Sequence, residues 1–438
     1  MEKFRQTLRV RKERAILVAA VLRGQGDGDD LTELTALAES AGAVVVDRFP
    51  QKIRTINPST YVGKGKADRL RERARRFKAD VVIFDNDLSP AQIRELEEII
   101  KIKVLDRSEL ILDIFATRAK TKQAKFQVEL AQLEYTYPRL TRMWSHLDTL
   151  AGAGGATAAG SVGGIGTRGP GEQQLEIDRR LVNKRITELK RELTSIDKRR
   201  IREIKGRKGL FKICLVGYTN AGKSTLLNAL TDAGVFVEDR LFATLDTRTR
   251  KWSPARGAEV LISDTVGFVR NLPHQLVASF KATLEEALNA DLLLHVIDVS
   301  NSDALGQIES VNSVLDEIGC ADTPILKVLN KVDSLKSISQ LEMVQTLFPD
   351  AVTISAKTGF GLERLAEEVA DKYRGTDLLL RVNSSQSNGK VQSFLRAHGQ
   401  ILNERYLNGF VLIDARLGQN QLPALQSLRP DQLEIIQS

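Results

Sequence analysis

The chain has 438 residues, 42% of them hydrophobic and 27% charged, with a net charge of +8 and a pI near 9.3. That balance is the one of a soluble globular protein rather than a disordered or fibrous chain, and two cysteines in apolar surroundings, Cys214 and Cys320, point to a reducing compartment without disulfides or a thiolate metal site. The positive balance points to an anionic partner, nucleic acid before membrane.

The apolar runs, such as Ile16–Leu22, are too short to span a bilayer. Met1–Arg14 is charged, with no apolar signal core and cleavage site after it, so a cytoplasmic protein of two to four domains is expected. From about residue 10 to 119, short apolar runs alternate with amphipathic segments. Ala15–Leu22 predicts a strand, Leu31–Ala41 a helix, Ala43–Arg48 a strand and Lys66–Phe77 a basic helix. Asp80–Phe84 predicts a strand, and Ser89–Ile100 a helix with Ser89 as its cap and Pro90 in the first turn. Val104–Asp106 and Glu109–Ala119 repeat the pattern. Such alternation means a parallel sheet with crossover helices. Within it lies the loop Asn57-Pro-Ser-Thr-Tyr-Val-Gly-Lys-Gly-Lys66.

From Phe126 the spacing changes. Phe126, Leu130, Leu133, Tyr137, Leu140, Trp144 and Leu147 follow a heptad seam, which Pro138 should kink, and Val182, Ile186, Leu189, Leu193 and Ile196 form a second. Two heptad helices joined by a loop predict an antiparallel hairpin arm. Basic residues from Arg179 to Arg200 on the second helix predict an RNA-facing side. The loop at the tip, Leu150 to Gly171, is nearly all Gly, Ala, Ser and Thr, cannot fold alone, and suits a slim probe on a stiff lever. The expected division is 1–120 for the N-terminal domain, 121–208 for the arm, 209–374 for a nucleotide-binding domain and 375–438 for a small C-terminal α+β domain. Ser384–Lys390 is expected to be a linker, Val391–Leu402 a helix and Phe410–Arg416 a strand.

The most informative stretch begins with the apolar, β-branched run Phe211–Val216, predicted to be a buried parallel strand. It is followed by Gly217-Tyr218-Thr219-Asn220-Ala221-Gly222-Lys223-Ser224-Thr225, a P-loop opening a helix. Gly217 and Gly222 let successive N–H groups curl around an anion, Lys223 adds a charge on the β- and γ-phosphates, and Ser224 can ligate Mg²⁺. Asp264-Thr265-Val266-Gly267 follows the strand Glu259–Ser263; its carboxylate can hold Mg²⁺ and its glycine N–H can bind the γ-phosphate. Phe242-Ala243-Thr244-Leu245-Asp246 lies where a switch loop belongs, with Thr244 able to complete the Mg²⁺ shell. Asn330-Lys331-Val332-Asp333 follows the strand Ile325–Leu329. An aspartate there accepts both N1–H and N2–H of guanine, and a site built for such a pair rejects the analogue lacking it roughly 10⁴-fold. Ser355-Ala356-Lys357 can offer a backbone N–H to guanine O6. Five stations in order specify GTP as substrate and Mg²⁺ as cofactor, in a Ras-like P-loop domain.

These five motifs resemble those of the translational GTPases of the Obg–HflX superfamily. Gly163-Gly-Ile-Gly-Thr-Arg-Gly-Pro-Gly-Glu-Gln-Gln-Leu-Glu-Ile-Asp-Arg-Arg180 and Tyr61-Val-Gly-Lys-Gly-Lys66 are similar to the HflX family signature. The resemblance spans nearly the whole chain. It implies a GTPase that binds the large (50S) ribosomal subunit, places the glycine-rich tip near the peptidyl-transferase centre and splits stalled or idle 70S ribosomes. Separately, a monomer is expected. The switch loop departs from the family pattern, with Asp246-Thr247-Arg248 where Asp-Pro-Thr is usual. Phe268 stands where Ras-like proteins carry a water-orienting glutamine, so unaided hydrolysis is expected at about 10⁻² s⁻¹ or below. Asn220 matches the asparagine that in related GTPases helps hold K⁺ beside the phosphates, and bonding of Asn220 to the loop backbone is the alternative. Lys223, Thr244, Gly267 and Asn220 are the expected catalytic set. Two rivals stand beside this: an ATP-dependent P-loop enzyme, against which Asp333 argues, and an RNA-binding or ribosome-assembly adaptor in which GTP is only a conformational switch.

Overall fold

The structure is a computed structural model that describes residues 12–22, 31–143, 170–206, 211–231, 241–242, 247–255, 258–270, 286–335, 337–375, 377–407, 409–418 and 421–437. It forms two compact units. The first takes the described residues up to 199 with 241–242, and the second the remainder. Most of the loop expected at the tip of the arm, and the switch residues Ala243, Thr244, Leu245 and Asp246, lie outside the described residues.

The first unit opens with an α/β domain. Strands β1 (Arg14–Leu22), β2 (Val44–Ile53), β3 (Val81–Phe84) and β4 (Lys103–Asp106) form a parallel sheet in the order β2-β1-β3-β4. Helices α1 (Thr32–Ser40), α2 (Lys64–Phe77), α3 (Pro90–Ile100) and α4 (Arg107–Arg118) make the crossovers. The α3 start is a capping box: Ser89 Oγ accepts the Gln92 N–H and the Gln92 side chain accepts the Ser89 N–H, with Pro90 inside the first turn. β2 runs five residues beyond the expected Arg48, because its partner β1 is long enough to hydrogen-bond it to Ile53.

The arm consists of α5 (Lys122–Met143) and α6 (Pro170–Gly206). Leu130, Leu189 and Leu193 are buried together, with Phe126, Leu133 and Ile186 packed around them, which is the heptad seam. Pro138 lies inside α5 without ending it. The basic residues of α6 are partly committed to the arm itself. Arg185 makes a two-pronged pair with Glu129 (2.7 and 2.9 Å), and Lys190 bonds Glu134 (2.8 Å). Leu241 and Phe242 are buried in this first unit, where the Phe242 ring meets Phe115 of α4 edge-on at 4.5 Å between centroids.

The second unit carries a six-stranded sheet in the order β10-β9-β8-β5-β7-β6. Its strands are β5 (Phe211–Gly217), β6 (Arg248–Ala255), β7 (Ala258–Asp264), β8 (Leu292–Asp298), β9 (Ile325–Asn330) and β10 (Val352–Thr353). Of these, β6 is antiparallel and the others run parallel. The buried runs of β5 and β8 are apolar on both faces apart from His295 of β8, as suits a sheet covered by helices on each side. The covering helices include α7 (Lys223–Thr231), α8 (Ala304–Ile318), α9 (Ile338–Leu347) and α10 (Leu362–Arg374).

The C-terminal part is a βαββαβ domain of β11 (Asp377–Ser385), α11 (Gly389–His398), β12 (Gln400–Leu407), β13 (Phe410–Gly418), α12 (Leu422–Ser427) and β14 (Gln432–Gln437). Its antiparallel sheet runs β12-β13-β11-β14. The expected linker Ser384–Lys390 is instead the end of β11, a turn and the start of α11. The expected helix to Leu402 ends at His398, and β12 follows. Leu378, Leu380 and Val382 alternate into a core with Val411, Ile413 and Ala415 of the paired strand, a pairing that lies far along the chain.

Candidate functional site: a guanine-nucleotide pocket at the strand ends

The sequence stations of the second unit meet at the C-terminal ends of β5, β7 and β9, where ligands bind in open α/β sheets. β5 ends at Gly217, and α7 starts at Lys223, so Tyr218 to Gly222 form the loop between them. Gly217 has φ 149°, and any Cβ there would strike the Val296 carbonyl of β8. Gly222 has φ 97°, and a Cβ there would strike the Asn330 side-chain nitrogen. Both positions exclude side chains by contact as well as by backbone geometry. Asn220, exposed, also takes a left-handed φ of 62°. Thr225 lies in the first turn of α7.

The buried Lys223 ammonium donates to the Gly217 and Tyr218 carbonyls at 3.0 and 2.8 Å. Burial, opposed by nearby Asp264, lowers its pKa from 10.5 to about 8. Ser224 Oγ donates to Asp264 Oδ2 at 2.6 Å. A hydroxyl and a carboxylate converging at a strand end are the oxygen donors that Mg²⁺ prefers, so this pair fits that ion. Thr265 is buried and donates from Oγ1 to the Leu215 carbonyl (2.6 Å), fixing the strand end from which Val266 and Gly267 leave.

Gly267 passes close to the loop: a Cβ would lie 2.7 Å from Thr219 Cα and 2.9 Å from Lys223 Nζ. The next residue, Phe268, is 2% exposed. Its N–H donates to the Gly217 carbonyl (3.1 Å) and its carbonyl accepts the Thr219 N–H (2.7 Å). The segment after β7 is thus strapped to the P-loop by its backbone. Tyr218 adds a second strap, its hydroxyl accepting the Arg270 N–H at 2.7 Å, while the Arg270 guanidinium pairs with Asp303. The sequence marks Phe268 only by what its side chain cannot do. The strap is a backbone property with no signature in residue type.

Asn330 brackets the two halves of the site. Its Nδ2 donates to the Ala221 carbonyl (2.8 Å) and its Oδ1 accepts the Ala356 N–H (2.9 Å). Lys331, with φ 66°, pairs through Nζ with Asp298 at 2.7 Å, a partner that the motif does not reveal. Val332–Ser334 forms a 3₁₀ turn that holds Asp333. Asp333 is exposed, and its Oδ1 accepts the buried Ser355 hydroxyl at 2.6 Å. That hydrogen bond holds the carboxyl below its usual pKa, with Lys357 adding to the effect. A carboxylate anchored on one side keeps acceptor capacity for a base. Thr244 and its neighbours 243–246 fall outside the described residues, and Phe242 lies in the first unit, on Phe115.

Three family models match the chain in succession: "GTP-binding GTPase N-terminal" over residues 28–116, "GTP-binding GTPase Middle Region" over 118–207 and "50S ribosome-binding GTPase" over 212–331. GTPase HflX of Lacrimispora saccharolytica is 44% identical over 92% of this chain and 93% of its own. GTPase HflX of Escherichia coli K12 is 43% identical over 83% of each. A GTP-binding protein from Sulfolobus solfataricus, solved with GDP, is 25% identical, covering 82% of this chain and 98% of its own at a TM-score of 0.43. With a nucleotide pocket of this construction, and curated relatives this similar along almost its full length, the chain is a GTPase of the HflX family.

Proposed function

We propose that this GTPase is a switch acting on ribosomes. It binds the large (50S) subunit in its GTP form, splits stalled or idle 70S particles and is released after hydrolysis to GDP and phosphate. The observation that carries the reading is one assembled pocket in which the P-loop, Asp264, Asn330, Asp333 and Ser355 are tied by direct hydrogen bonds. The ribosomal target is supported by the family model named "50S ribosome-binding GTPase" and by a chain with net charge +8.

In this mechanism backbone N–H groups of the loop between β5 and α7 and the Lys223 ammonium cradle the phosphates. Asp333 accepts the guanine N1–H and N2–H, and Ala356 lies beside the base. Ser224 and Asp264, joined by Thr244 of the switch loop, would hold Mg²⁺, which offsets charge on the β- and γ-phosphates. Asn220 would hold K⁺ beside them. Gly267 offers its N–H to the γ-phosphate. Phe268 carries no group that orients water, so turnover depends on the ribosome. Four functional parts, 1–120, 121–208, 209–374 and 375–438, divide the work in a cytoplasmic monomer, the arm and its glycine-rich tip being the wedge. Among the described residues no helix is long and apolar enough to cross a membrane.

Sucrose-gradient sedimentation of 70S ribosomes with the protein and a non-hydrolysable GTP analogue tests the proposal. The expected result is loss of the 70S peak to 50S and 30S, with the protein on the 50S fraction. An intact 70S peak refutes splitting. The adaptor alternative predicts no ribosome-stimulated phosphate release, whereas the ribosome-splitting GTPase predicts stimulation, faster in K⁺ than in Na⁺.

A further inference from the structure

Four hydroxyls of the nucleotide pocket have protein partners. Ser224 bonds Asp264, Thr265 the Leu215 carbonyl, Ser355 the Asp333 carboxylate and Tyr218 the Arg270 N–H. Thr219 differs. It is 6% exposed, and its Oγ1 is buried with no hydrogen-bond partner. A buried hydroxyl left unpaired destabilises the fold, and such a group in a native site calls for a ligand. Valine has the same shape without that penalty, so packing alone does not account for a threonine here.

The fold gives the phosphate loop two distinct ends. Its Gly222 end runs against Asn330: a Cβ on Gly222 would strike the Asn330 amide nitrogen, which donates to the Ala221 carbonyl. Asn330 closes β9 and leads into the turn that holds Asp333, so this end faces the base. The Thr219 end runs against Gly267. A Cβ on Gly267 would lie 2.7 Å from Thr219 Cα, 2.8 Å from Thr219 Cγ2 and 2.9 Å from Lys223 Nζ. The threonine side chain, the ammonium and the glycine backbone therefore converge on one point. The backbone there is held firmly. The Thr219 N–H donates to the Phe268 carbonyl at 2.7 Å, and the ammonium bonds the two carbonyls just before Thr219. A lysine charge and a glycine N–H are the groups that a nucleoside triphosphate meets at its terminal phosphate.

We infer that the Thr219 hydroxyl is a γ-phosphate ligand: it donates a hydrogen bond to a γ-phosphoryl oxygen and so helps the pocket tell GTP from GDP. This is separate from the loop's general hold on phosphates, which runs through backbone N–H groups whatever side chain stands at this position. Phe268, the next residue after Gly267, offers no polar side-chain group at this end, so the hydroxyl supplies what that segment lacks. A place in the Mg²⁺ shell fits Thr219 less well, because the oxygen pair suited to that ion, Ser224 and Asp264, meets at the start of α7. A water held inside the loop is the remaining rival, and it would serve GDP and GTP alike.

The inference deepens the GTPase reading of the pocket and is independent of the ribosomal one. Titration calorimetry on the full-length protein compares GDP with guanosine 5′-(β,γ-imido)triphosphate in the wild type, Thr219→Val and Thr219→Ser. The valine variant should keep its GDP affinity and bind the triphosphate analogue about ten- to a hundredfold more weakly, the change expected from removing one hydrogen bond to a charged acceptor. The serine variant keeps the hydroxyl and should restore binding of the analogue. Equal affinity of the valine variant and the wild type for the analogue overturns the inference. An equal loss for GDP and the analogue also overturns it, since the hydroxyl then serves the loop itself. So does a serine variant as weak as the valine one, which would assign the role to the methyl group against Gly267. A wild type that binds neither guanine nucleotide refutes the pocket as a whole, an outcome distinct from the other three.

Discussion

Asp333 and Lys223 show how single side chains are prepared by their surroundings. The Ser355 hydroxyl bonds one Asp333 oxygen and lowers its pKa, so the group is ionised at any physiological pH. On the proposed assignment it accepts two hydrogen bonds from guanine, each worth about 1.5–3 kcal/mol with a charged acceptor. Asp333→Asn should weaken GTP binding on the order of 10²-fold or more and raise affinity for xanthosine triphosphate, whose C2 carbonyl accepts where guanine donates. Equal GTP affinity in the two proteins, by nucleotide titration, would remove Asp333 from the base site. Lys223 titrates in reach of mild base. In the folded protein burial lowers its pKa to about 8, whereas the unfolded chain keeps the proton up to about 10.5. Stability from this group therefore rises, not falls, as pH climbs through that window. Phosphates favour the charged ammonium, so nucleotide binding should take up a proton above pH 8, and affinity should drop by up to about tenfold per pH unit. Calorimetry in buffers of different ionisation enthalpy reads the proton directly, and a flat affinity from pH 7 to 9.5 contradicts the role.

Among the described residues, the seam between the two arm helices is small. Three buried leucines, with Phe126, Leu133 and Ile186 at their margin, hold two helices of 22 and 37 residues together. Leu189 is wholly buried, and Leu189→Ala should cost about 2–5 kcal/mol of local stability. The seam belongs to the first compact unit and the nucleotide pocket to the second. GTP affinity should therefore stay at the wild-type value while hydrogen exchange in α5 and α6 accelerates. Parallel loss of nucleotide binding would mean that arm and pocket fold as one unit. The arm is legible from spacing because a heptad repeat is written in residue type. Two features of it are not. The partners Glu129 and Glu134, which take up Arg185 and Lys190, lie on the other helix and depend on register. α5 also continues past Pro138, since one proline removes a single intrahelical bond and the turns around it persist.

For the molecule as a whole, residue order alone was enough to establish the α/β class, the alternation of strands and helices, the hairpin and the succession of nucleotide motifs. Each is a local property. A P-loop is a strand, two glycines at fixed spacing and a helix start, and the chain needs nothing distant to form it. What depends on distant partners became visible only in the folded chain. Asn330 reads as part of a motif, yet its bracket between Ala221 and Ala356 spans 109 and 26 residues. The end of β11 reads as linker because the alternation of Leu378, Leu380 and Val382 acquires meaning only beside β13. Phe242 sits in the motif region of the switch loop but is buried against Phe115, more than a hundred positions earlier. The run of basic residues between Arg48 and Lys78 is a sequence fact, but its placement on the edge strand β2 and on α2 is not. The physical reason is common to all four cases. Backbone conformation and periodicity are set within a few residues, whereas burial, hydrogen-bond partnership and electrostatic surface are set by which segments the folded chain brings side by side.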